Sequence, residues 1–286
     1  MSAIRTNAAA AMLGVSPNTL RSWERRFGYP APQRTEGGHR QFELAQIEAL
    51  RNAFEQTGEI SSAVAIARER GAGPPTHHGL RSALSRFSAE QADLVLEQSL
   101  AVRSLERTVE SVLLGAVQSL GEDAQDASAE YCFAWRYATG WLAAAHRVAP
   151  QATREEGVLI FDATRPLELD ALYVQALELF LRRASLRVLT LPVELQANRL
   201  RSALAALAPR AIVLGGSSAP LDVIARLVYA ARQSVGETDV FDYRGALPDT
   251  GASTVGRLGA TPSSALEGLS RQLARAQEQI LRVGIR

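Results

Sequence analysis

Lysine is absent from this chain of 286 residues, and all 31 basic side chains are arginine. Every cationic contact therefore uses a guanidinium, whose fork can bond phosphate and guanine bidentately. Without a lysine, phosphorelay chemistry on a receiver-like sheet is disfavoured, although Asp162, Glu168 and Asp170 cluster after one predicted strand. Cysteine occurs once, as Cys132, which excludes an internal disulfide and a cysteine-based zinc site. No apolar run approaches the roughly 18 residues needed to span a bilayer. The start, MSAIRTNAAAAML, leads into polar Gly14-Val15-Ser16-Pro17-Asn18 rather than a cleavage site, which argues against a signal peptide. A cytoplasmic, membrane-free protein is expected. Catalytic signatures are missing as well: there is no G-x-x-x-x-G-K-[ST], no G-x-G-x-x-G and no nucleophile elbow. The chain does not read as an enzyme.

The net charge of +1 points to no polyanionic partner by itself. Its distribution does. Residues 1–42 hold Arg5, Arg21, Arg25, Arg26, Arg34 and Arg40 against only Glu24 and Glu36, a footprint suited to phosphates. The spacing predicts a short helix over 8–13, a turn at Gly14-Val15, and a helix to Phe27 with Ser16 as N-cap and Pro17 in the first position. Two short extended pieces flank Gly37-Gly38, and helices follow near 43–56 and 60–70. Composition marks 73–79 as a linker. Residues 80–150 read as a four-helix bundle, from Leu94, Leu100, Leu105, Val109, Val112, Leu113, Val117 and Leu120 and from an aromatic-rich helix over 126–148. From 151 to 286 strands and helices alternate. Strands are expected at 158–161, 187–191, 211–214, 239–243 and, weakly, 254–258, with helices at 169–182, 197–207, 221–234 and 262–283. This is the pattern of a flavodoxin-like parallel sheet. The fold class expected is multidomain: an all-α winged helix-turn-helix over 1–72, a bundle, then a Rossmann-like α/β domain.

A helix that reads DNA needs one apolar face for its own domain and one polar face for bases and phosphates. Leu20, Trp23 and Phe27 form the inward face of the helix after Ser16. Asn18, Thr19, Arg21, Ser22 and Arg25 are left outward and, with Ser16 at the helix start, are candidate DNA contacts, Arg21 being the best candidate for guanine. Arg34, Arg40, Trp23 and His39 are candidates for backbone positioning, Arg40 from a wing at Gly37-Gly38-His39-Arg40.

The ordered series in this segment resembles the MerR family of transcription regulators. Its features are matched at Gly14-Val15-Ser16, Thr19-Leu20-Arg21, Trp23-Glu24-Arg25 and Gly38-His39-Arg40. The resemblance covers about 70 residues. It implies a homodimer or tetramer on a pseudo-palindromic duplex, often within a promoter, with RNA polymerase as a further partner.

The order of modules is similar to the cobalamin-dependent, light-responsive branch of that family, the CarH and LitR type. Two motifs of that branch are degenerate here. The bundle signature of Trp, nine residues and Glu-His is met by Trp135 and His146, with Ala145 in place of Glu. The D-x-H-x-x-G loop is Asp162-Ala163-Thr164-Arg165-Pro166-Leu167, with Thr164 for His and Leu167 for Gly. A threonine hydroxyl is a poor cobalt ligand, and leucine crowds a backbone-to-ligand approach. The Gly-Gly of the branch survives at Gly215-Gly216, followed by Ser217-Ser218. The expectation is a regulator without cobalamin in its His-on mode. The alternative is a non-corrinoid small molecule, or cobalamin held in another mode, between bundle and sheet. His146 also reads as a helix-terminal histidine facing the dipole, Trp135, Tyr131 and Trp141 as packing residues, and Gly215-Gly216 as a turn.

Overall fold

The computed structural model describes residues 3–34, 38–70, 76–122, 128–235, 238–247 and 255–283. The chain divides into two compact units, Met1–Gly79 with Glu97–Val102, and Leu80–Leu96 with Arg103–Arg286. No helix among the described residues is long and apolar enough to cross a membrane.

In the first unit, strand β1 (Ala3–Arg5) leads into α1 (Thr6–Met12) and α2 (Pro17–Phe27). Helix α2 begins where its local chemistry dictates. Ser16 is extended, its hydroxyl accepts from the Thr19 amide at 3.0 Å, and Pro17 fills the first position, where no amide is required. The helix ends at Gly28, left-handed with φ 63°, whose amide donates to the Glu24 carbonyl. Strands β2 (Gln33–Arg34) and β3 (Arg40–Glu43) follow, then α3 (Leu44–Thr57) and α4 (Ile60–Arg70). Leu20, Phe42, Ile47 and Leu50 are fully buried in one core. The Tyr29 hydroxyl donates to the carbonyls of Gln46 and Ala67, at 3.3 and 3.2 Å, and so ties the core's edge to α3 and α4.

The unit is mostly helical, but the all-α expectation needs correction. β1, β3 and β2 form an antiparallel sheet in that order, with Ile4 opposite Phe42 and Arg34 opposite Arg40. Three residues before a helix carry too little periodicity to announce a strand such as β1.

Helix α5 (His77–Leu84) starts inside the segment whose composition suggested a linker; residues 73–75 of that segment lie outside the described residues. After α6 (Ala89–Val102), α7 (Leu105–Thr108) runs through a π-helical stretch (Val109–Leu114) into α8 (Gly115–Glu122) without a break. Helix α9 (Ala129–Arg147) precedes the alternating region. There, β4 (Gly157–Asp162), β5 (Arg187–Pro192), β6 (Pro209–Gly215), β7 (Asp239–Tyr243) and β8 (Gly256–Arg257) make a wholly parallel sheet in the order β5-β4-β6-β7-β8. This is the flavodoxin-like order, in which the loops at the strand C-termini form the usual ligand edge.

Helix α10 (Leu169–Arg183) lies between the sheet and the helical layer, which explains why it is apolar on two sides. Leu172, Ala176, Leu179 and Phe180 face α8, α9 and the π-helical stretch, while Val174, Leu177 and Leu181 face β4 and β6. Helix α13 (Pro262–Val283) joins it on that face, and α11 (Arg201–Leu207) and α12 (Leu221–Val235) cover the other. The helix expected over 197–207 is broken: residues 197–199 form a 3-10 turn before α11 begins.

Candidate nucleic-acid interface and candidate ligand face

On α2, the predicted inward and outward faces separate. Leu20 has no exposure, and the Trp23 ring packs on Phe54 with centroids 5.7 Å apart. Trp23 thus serves the core contact, and Phe27 lies beside it. Asn18, Arg21 and Arg25 are exposed, while Thr19 and Ser22 are half-buried. The Arg21 guanidinium donates from Nη1 to Asn18 Oδ1 at 3.1 Å, so two candidate base readers hold one another on the free surface. Ser16 Oγ and Thr19 Oγ1 lie 2.8 Å apart within the cap, which makes Ser16 a helix-starting residue first.

Beyond α2, His39 is exposed and Arg34 lies in β2; the Arg34 side chain is outside the described residues. Arg40 has a carboxylate partner within the chain. Its Nε donates to both oxygens of Glu24, at 3.1 and 2.9 Å, linking β3 to α2. Glu24 was not among the candidates, because an acid in a basic segment looks like a solvated helix residue.

The second face lies at the C-terminal edge of the parallel sheet. Asp162 Oδ1 accepts from the Thr164 amide at 2.9 Å and the Thr164 hydroxyl at 2.6 Å, fixing the loop after β4. Leu167 is left-handed, with φ 68°. Its carbonyl accepts from the Tyr131 hydroxyl at 2.8 Å, and the next carbonyl, of Glu168, accepts from Trp135 Nε1 at 2.9 Å. The Glu168 carboxylate accepts from the Arg165 amide and the Ser218 hydroxyl, at 2.9 and 2.6 Å. Helix α9 is therefore bonded directly to this loop.

Gly215 and Gly216 have reasons internal to the chain. A Cβ on Gly216 (φ 86°) would stand 2.3 Å from Thr164 Cγ2 and 3.1 Å from the Thr164 amide nitrogen, and one on Gly215 would stand 2.8 Å from Val174 Cγ2. The pair lets the β4 loop press onto the end of β6. Ser217 is exposed beside them.

His146 is not brought to this loop. Its Nε2 lies 3.1 Å from the Gln175 carbonyl, and Nδ1 lies 3.9 Å from Glu178 Oε1. Gln175 is seven residues beyond Glu168, roughly 10 Å farther along α10 by helical rise. His146 also borders a groove of about 650 Å³ beside β5, whose arginines are largely engaged. Arg182 pairs with Glu178 at 3.0 Å, and Arg187 donates to the Ala206 carbonyl.

Two polar residues near the sheet edge escaped sequence reading. Arg244, left-handed at φ 66°, donates to Asp170 Oδ1 at 2.8 Å and lies 4.1 Å from the centroid of the Tyr173 ring. Asp242 is only 5% exposed, and burial raises its carboxyl above the usual aspartate range, opposed by the amides of Leu247 and Ala246 and by Arg257. Neither has a motif signal: Arg244 meets Asp170 from 74 positions farther along the chain, and Asp242 takes amides from the loop that follows β7.

Residues 5–42, spanning β1 to β3, match the family described as "MerR family regulatory protein". The chain carries a MerR-family domain. The chain bearing this MerR-family domain is 30% identical over 128 residues to the HTH-type transcriptional repressor CarA of Myxococcus xanthus, covering 41% of this chain and 44% of CarA. It is 50% identical over 42 residues to the HTH-type transcriptional regulator MlrA of Escherichia coli (strain K12), covering 15% of this chain and 17% of MlrA. The matches thus span less than half the length of these relatives. Among solved structures, the Methanosarcina barkeri monomethylamine corrinoid protein superposes with a TM-score of 0.50 at 13% identity, covering 66% of this chain and 93% of that one. That likeness is one of fold: the MerR-family domain is followed by a parallel-sheet domain with a cobalamin-binding-like fold.

Proposed function

We propose that the protein is a sequence-specific DNA-binding transcription regulator of the MerR type, and not an enzyme. It acts in the cytoplasm as a homodimer or tetramer. Residues 1–72 form its winged helix-turn-helix, 80–150 a helical bundle and 151–286 the α/β domain. The carrying observation is the outward face of α2, where Asn18, Arg21 and Arg25 are exposed on a helix whose opposite side is fixed by Leu20 and Trp23. Asn18, Thr19, Arg21 and Ser22 read base edges in the major groove; Arg25, Arg34 and His39 contact phosphates. Each subunit supplies one such helix, so the assembly sets the half-site spacing. RNA polymerase is a further partner where the site lies within a promoter. Selection of bound duplexes from genomic fragments by the full chain tests this. A two-fold-related consensus is expected, and recovery of unrelated fragments in proportion to their abundance contradicts it.

The second unit works without cobalamin in this reading. A corrin on this edge needs a cobalt ligand from the β4 loop and room between the loop and α9. Thr164 supplies a hydroxyl already given to Asp162, and its methyl fills the space over Gly216. Tyr131 and Trp135 close onto the loop carbonyls, and His146 is engaged by Gln175. The residues present do not fit the group. The same contacts weigh against a non-corrinoid ligand at that junction. Adenosylcobalamin added to the purified full chain in the dark is expected to leave after desalting, with operator affinity unchanged. A retained red chromophore overturns this half of the proposal.

A further inference from the structure

We infer that Glu24 and Arg40 are positioning residues, a strap that sets the angle of the β2–β3 hairpin against helix α2, so that Arg40 acts through Glu24 and not as a phosphate contact. The inference rests on the DNA-binding reading above and assigns a role within it.

Arg40 and Phe42 are two residues apart on β3, so they share a face of the sheet. Phe42 is fully buried in the core that also holds Leu20 of α2, and Arg40 therefore lies on the core-facing side of β3. Glu24 stands one turn after the buried Leu20 and beside Trp23, so it shares the side of α2 that carries its core residues. The result is the Nε–H of Arg40 shared between both carboxylate oxygens at 3.1 and 2.9 Å.

The pair is shielded: the side chains are 32% and 20% exposed. At that burial an ion pair is screened less than a surface pair, and losing one partner leaves a charge poorly hydrated. The strap also sits at a mechanically useful place. It joins the end of the hairpin next to its turn, one residue after His39, to the same helix that carries Asn18 and Arg21. Base reading and backbone gripping must be in register on the duplex, and this contact fixes one relative to the other.

Charge reversal tests it. In the full chain, Glu24→Gln and Arg40→Ala are each expected to weaken binding to the selected operator about five- to ten-fold, roughly one kcal/mol or slightly more. The slope of log affinity against log salt should stay that of the unaltered protein, because no phosphate contact is lost. The double variant Glu24→Arg with Arg40→Glu restores the pair with reversed sign, and is expected to recover most of the affinity and of the thermal midpoint of the N-terminal unit. A phosphate contact at Arg40 behaves differently. Arg40→Ala would then lower the salt slope by about 0.9, and the double variant, with a carboxylate facing phosphate, would bind worse than either single one. That outcome overturns the positioning role and leaves the regulator reading intact. Should the unaltered chain prefer no duplex, both fall together.

Discussion

Leu167 holds a conformation that leucine rarely adopts. Its φ of 68° costs a non-glycine residue about 1–2 kcal/mol, offset here by the Tyr131 hydroxyl on its carbonyl. Leu167→Gly is accordingly expected to leave stability within about 1 kcal/mol of the original, while Leu167→Val, stiffer at Cβ, loses about 1–2 kcal/mol in urea unfolding. Asp242 carries a pH signature. Burial raises its carboxyl in the folded chain, so the folded state holds the proton more tightly than the unfolded one. Its contribution to stability therefore falls as pH rises above the ordinary aspartate value of 3.8 and stays low once the raised value is passed. Asp242→Asn, neutral throughout, is expected to be more stable than the unaltered protein at pH 7 and to show no advantage at pH 3, as thermal melts at the two values would reveal. Arg21→Ala should cost about 1–3 kcal/mol at its cognate base and broaden the consensus there, which binding to single-base operator variants measures.

Loops and helix ends carry the next scale. Because a side chain on Gly216 meets Thr164 within 2.3 Å, Gly216→Ala is expected to destabilise the α/β domain by about 1–3 kcal/mol. Adding Thr164→Gly in the same chain should recover part of that loss; unchanged stability in Gly216→Ala would contradict the close-packing account of the Gly-Gly pair. Much at this scale was legible in the sequence. Ser16-Pro17 mark the start of α2 and its expected end at Phe27 is met, and the strand at 239–243 and the helix at 262–283 coincide with β7 and α13. The weak strand expected over 254–258 is present as the two-residue β8. Two kinds of feature were not legible. β1 is too short for periodicity, and the α11 region changes from a 3-10 turn to helix within one alanine-rich run. The candidate sites were legible as residue types and less so as partners. Asn18 and Arg21 are on the face expected, but Arg40's carboxylate partner and the closure of Tyr131 and Trp135 onto the β4 loop depend on long-range packing that no local pattern encodes.

At the scale of the molecule, the chain forms two compact units of different make-up. The first gathers arginines around a helix with one fixed and one free face, and its MerR-family domain spans that helix and the paired strands. The second keeps a cobalamin-binding-like fold while its own side chains occupy the junction between loop and helix. The account therefore holds that affinity for DNA comes from α2 and its hairpin, and that it needs no corrin. The most direct test is the equilibrium affinity of the purified, cobalamin-free full chain for its selected operator, against a shuffled duplex of the same composition at about 0.15 M salt. The account predicts a preference of at least about a thousand-fold. Equal affinity for the two duplexes would contradict it.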